Sequence, residues 1–138
     1  MAILCKHDDE SYFGWAQWAW PKLLRLAEAH GWKPRGTSQP QEELRYFPNG
    51  MWDNRNYTTN DGQIVSAEDA TALAAALESA LPQIPHEDAL AKYRTAEGGI
   101  EIAPNPPDAV DADWFSGETK MQVVKFIAFG RGGSFRIW

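Results

Sequence analysis

His86-Glu87-Asp88-Ala89-Leu90 begins as the helix of a zinc protease does, with a histidine ligand followed by a glutamate base. That chemistry needs a second histidine four residues after the first, and Leu90 stands there. The polar turn around Gly62 has the composition of a calcium loop. Placing Gly62 at the loop's sixth position, however, puts Tyr57 at the first, where a carboxylate oxygen is required, and Glu68 at the twelfth does not restore the set. Gly130-Arg131-Gly132-Gly133 follows an apolar helical pattern, whereas a phosphate cradle opens into a helix N-terminus. No Gly-x-Ser-x-Gly elbow occurs, and Cys5 and His7 are neighbours only in sequence. His7, His30 and His86 show no ligand spacing. Glycoside hydrolysis needs two carboxylates flanking a sugar. Glu42-Glu43, Asp8-Asp9 and Asp111 with Asp113 read instead as solvated loop charges. No catalytic residue, metal ligand or cofactor is expected, and the reading leans away from an enzyme.

Aromatic chemistry is what the chain has in excess. Seven tryptophans, at 15, 18, 20, 32, 52, 114 and 138, are more than a chain of 138 residues is expected to bury completely, and exposed tryptophan is enriched at recognition surfaces. The expected surface is Trp15, Trp18 and Trp52 with Asp111 and Asp113 of the Asp-bearing loop 104–113. Thirteen basic against nineteen acidic residues give a net charge of -6, which disfavours nucleic acid and anionic membranes as partners. These features fit a protein-binding module, immunity-like or accessory, with a basic protein partner. The alternative is a ligand- or carbohydrate-binding or hydrolytic domain whose tryptophans stack on a flat ligand. A third expectation is a homodimer formed through an exposed strand ending at Trp138.

The elements that must position these residues predict an α+β fold: one domain over 1–138, with about three main helices on a small, mostly antiparallel sheet. Trp20, Leu23, Leu24 and Ala27 keep helical spacing near 20–30, Gly31 stops the helix, and Trp32 folds back on its last turn. Ser66-Ala67-Glu68-Asp69 is a helix-start signal for a helix at about 67–81. A further apolar pattern, with Ser116 as its cap, predicts a helix at about 117–129. Strands are expected at the N-terminus, on either side of Asn60-Asp61-Gly62, at 99–103 and at 135–138. A structured piece at 42–47 precedes a tight turn at 48–50, a short helix follows Pro85, and 104–113 is a surface loop. Cys5 is alone, so no intrachain disulfide forms. Lys6 to Glu10 interrupt the apolar opening before an export signal is formed, and a cytoplasmic location is expected.

Three blocks carry a resemblance: Leu23–Ala27 running to Gly31-Trp32-Lys33-Pro34-Arg35-Gly36-Thr37; Asn60-Asp61-Gly62-Gln63 into Ser66–Ala70; and Gly132-Gly133-Ser134-Phe135-Arg136-Ile137-Trp138. Their layout resembles a family of small bacterial proteins without an assigned activity. The resemblance implies a shared fold and no site residues.

Overall fold

The computed structural model describes residues 2–39, 53–87, 89, 92–94, 100–102 and 111–138. Trp52, the piece at 42–47 and the turn at 48–50 lie outside the described residues. Strand β1 (Ala2–Lys6) pairs antiparallel with β2 (Tyr12–Ala16), Ile3 opposite Trp15 and Cys5 opposite Phe13. In the connecting turn, Asp9 accepts from the backbone N–H and hydroxyl of Ser11, which holds its carboxyl below the usual range. Alternation along the hairpin buries Ile3, Cys5 and Trp15 on one face.

Helix α1 (Ala19–Ala29) buries Trp20, Leu23, Leu24 and Ala27, the stripe its spacing predicts. The helix ends with Gly31 N–H donating to Glu28 O and Trp32 N–H to Ala27 O, with Gly31 at a φ of 99° that favours glycine. Strands β3 (Thr37–Ser38) and β4 (Gln63–Val65) pair antiparallel. The Ser66 side chain accepts from Asp69 N–H at the start of α2 (Ala67–Ala80), which a 3₁₀ turn at Leu81–Gln83 extends. Strands β5 (Lys92–Arg94) and β6 (Ile100–Ile102) form a separate antiparallel pair. Short helix α3 (Asp111–Trp114) precedes α4 (Thr119–Arg131) and strand β7 (Phe135–Ile137). The five-stranded sheet has the order β2-β1-β7-β4-β3, all its pairs antiparallel, and with the helices it makes an α+β fold.

Helices α2 and α4 cross where a Cβ on Gly130 would stand 3.3 Å from both Ala70 O and Ala74 Cβ, so small residues set their close approach. Phe126 of α4 lies at the centre of the core, with its ring within 6.2 Å of Phe13, Trp15, Trp20, Phe129 and Phe135. His7 fastens the hairpin to the end of α4. Its ring stacks on Phe129 at 4.0 Å, and its nitrogens lie 2.9 and 2.8 Å from the carbonyl oxygens of Ser134 and Phe129.

Several expectations are corrected. Residues 53–62 take no strand, because the backbone there turns inward to bury Tyr57. Lys92–Arg94, expected in a helix after Pro85, is a strand paired with Ile100–Ile102. The loop through Asp113 ends in α3. Ser116 does not cap α4: its hydroxyl donates to Asp113 O and accepts from Ala89 N–H. The strand ending before Trp138 is not an edge, since β7 is bonded to β1 on one side and to β4 on the other.

Candidate functional site

Trp18, Lys22 and Arg25 lie at i, i+4 and i+7, one face of α1. Asp111 and Trp114 lie three apart on α3, and the two faces interlock. Trp18 is 46% exposed, and its ring centroid is 5.6 Å from that of Trp114, tilted 56° to it. Trp114, only 7% exposed, forms the floor. Lys22 Nζ stands 4.3 Å from the centre of the Trp114 ring, a cation–π contact. Arg25 donates from Nε and Nη2 to the two oxygens of Asp111, at 3.3 and 3.1 Å. This fork holds α3 against α1 and contributes about 1 kcal/mol, the upper end for a solvent-exposed pair. The result is a half-exposed indole on a rigid aromatic base, rimmed by charges of both signs.

The adjoining flank of α1 borders a groove of about 420 Å³ lined by Pro21, Leu24, Trp32, Pro34 and Tyr57, with Arg25, shared with the Trp18 face, and Arg55 among its polar groups. The Trp32 and Tyr57 rings are buried and pack edge to face against each other at 5.3 Å. Behind them Asp69 is fully buried: one carboxylate oxygen accepts from Trp32 Nε1 at 2.9 Å, the other from the Tyr57 hydroxyl at 2.6 Å. The same hydroxyl accepts from Gly36 N–H at 2.9 Å, and Trp20 Nε1 donates to Tyr57 O at 2.6 Å. Burial, and then the hydrogen bond to Asp69, push the Tyr57 phenol well above the ordinary tyrosine range. This network ties α1, the 33–37 segment and α2 together, so it positions the helix that presents Trp18.

Trp18 and Asp111 of the sequence-derived surface meet on this face. Asp113 is on the same short helix, where its backbone carbonyl accepts from the N–H and hydroxyl of Ser116. Trp15 is corrected to the core: it is 5% exposed and packs edge-on to Phe115 and Phe126. Its indole N–H has no hydrogen-bond partner among the described residues. Lys22, Arg25 and Trp114 were not among the expected site residues. Lys22 and Arg25 read as ordinary solvated charges, and only their spacing from Trp18 signals a shared face. Cys5 is fully buried, and burial drives its thiol far above the usual range. Among the described residues no group of three or more His, Cys, Asp or Glu is placed to hold a metal ion, and no helix is long and apolar enough to cross a membrane. Comparison with family models, with curated proteins and with solved structures gives no match to this chain.

Proposed function

We propose that the chain is a protein-binding module of the immunity-like or accessory kind, and that the α1–α3 face is its contact surface. The observation that carries this reading is Trp18, an exposed indole seated on Trp114 and flanked by Lys22 and the Arg25–Asp111 pair. Binding energy at protein interfaces concentrates in a few such aromatic and arginine anchors, which gain most when water is excluded around them. A rigid base matters too, because an anchor already held in place loses little conformational freedom on association. The net charge of -6 favours a basic partner by speeding encounter, while the aromatic face sets residence time.

The test is affinity purification from the host at low salt with the wild-type chain and with Trp18→Ala in parallel. A basic protein held in stoichiometric amount by the wild type and lost from the variant supports the reading. Equal retention by the two chains, or no stoichiometric partner for either, refutes it.

A further inference from the structure

Strand β2 is an edge of the sheet, and the hydrogen-bonding groups along its outer side have a defined direction. Leu4 exchanges both backbone bonds with Trp138, at 3.0 and 2.7 Å, so the groups of Leu4 face β7. Successive residues of a strand direct their N–H and C=O to opposite sides, so those of Ile3 and Cys5 face β2. Across that ladder stand Trp15 and Phe13, and His7 N–H reaches Ser11 O at 2.9 Å in the same phase. The N–H and C=O of Tyr12, Gly14 and Ala16 therefore point out of the sheet. All three residues are exposed, Tyr12 at 65%, and among the described residues no strand lies beyond β2. The segment Tyr12-Phe13-Gly14-Trp15-Ala16 has no proline and no lysine, and its pairing with β1 runs without a bulge; these are the devices that blunt sheet edges.

We infer that this edge is occupied by β2 of a second copy of the chain, paired antiparallel about a two-fold axis at Gly14. In that register Gly14 faces the partner's Gly14 and Tyr12 faces the partner's Ala16, each position exchanging both outward-pointing bonds. Glycine and alanine leave room on the open face of the sheet. On the helix-covered face Phe13 stands opposite the partner's Trp15, an aromatic cross-strand pair. Charge is complementary under the same axis. The exposed acidic turn of Asp8, Asp9 and Glu10 in each copy is laid toward the N-terminal end of α1 in the other, the positive end of the helix, whose first turn carries no acidic residue. The contact is built from different groups than the α1–α3 face and does not depend on that face binding a partner.

Sedimentation across a dilution series is expected to show a species of twice the chain mass that dissociates on dilution. Amide exchange at Tyr12, Gly14 and Ala16 is expected to slow as the dimer fills, while Phe13 and Trp15 stay protected at every concentration. Combining Tyr12→Lys with Ala16→Lys sets like charges opposite each other across the axis and abolishes the dimer. Tyr12→Lys with Ala16→Glu sets opposite charges there and keeps it. A wild-type monomer throughout, exchange at the three amides that ignores concentration, or a dimer that the double-lysine chain retains overturns the inference.

Discussion

Tyr57→Phe removes one oxygen atom and with it two hydrogen bonds at the buried junction of α1 and α2. The hydroxyl donates to a buried carboxylate oxygen of Asp69 at 2.6 Å and accepts from Gly36 N–H at 2.9 Å. A bond to a charged group is worth about 1.5–3 kcal/mol and a neutral one about 1 kcal/mol, so the substitution is expected to cost about 3 kcal/mol. For a domain of this size that lowers the melting temperature by roughly 10 °C. Urea unfolding followed by tryptophan fluorescence measures it, with the midpoint falling and the m-value unchanged. In an Asp69→Asn background both bonds are neutral, and the cost of the same substitution is expected to drop to about 2 kcal/mol. A cost below about 1 kcal/mol in the wild-type background, or strict additivity of the two substitutions, refutes the network as a stabilising unit. Titration adds a signature. The Tyr57 phenol is raised in the folded chain, so its stabilising share is complete below the unfolded tyrosine value of about 10 and is lost as pH rises above it. Tyr57→Phe is expected to flatten that alkaline loss.

Other expectations are testable by the same unfolding assay or by simple labelling. Trp15→Ala empties a core site and is expected to cost about 3–5 kcal/mol, whereas Trp18→Ala is expected to cost about 1 kcal/mol; equal losses contradict their assignment to core and surface. Gly62→Ala forces alanine to a φ of 79° with its Cβ 2.8 Å from the Trp138 ring, and is expected to cost about 2 kcal/mol in urea unfolding. Cys5 is expected to resist a thiol-reactive dye in the folded chain and to react with one equivalent on unfolding; rapid labelling of the native protein contradicts its burial.

The elements whose signals are local were legible. Ser66 with Asp69 marked the start of α2 because a cap bonds within one turn, and Gly31 marked the end of α1 because a left-handed residue favours glycine. Trp15 and Trp18 were not separable. Only two residues lie between the end of β2 and the start of α1, so Trp15 obeys the period of a strand and Trp18 begins a helix. The same side chain is buried by one rule and half-exposed by the other. Asp69 read as a charge on a helix N-terminus, yet its carboxylate serves Trp32 and Tyr57, which tertiary folding brings to it. Arg25 and Asp111 are 86 residues apart, and no local pattern announces their pairing. Ala89, Leu90 and Tyr93 fit helical spacing, but over so short a run the ladder to Ile100–Ile102 decides the matter.

The place of β7 sets the order in which the molecule can be made. Among the described strands it alone joins the β1–β2 hairpin to the β4–β3 pair within the sheet, from a position about 130 residues after β1 in the sequence. During synthesis the hairpin and the first two long helices leave the ribosome well before residues 135–137 do. Until those residues emerge, β1 and β4 lack the strand that pairs with both of them in the folded chain. Such an interval favours wrong strand pairing between nascent chains, and closure through a contact so distant in sequence is slow. Yield in a cell is therefore expected to depend on holding that gap open until the bridging strand arrives.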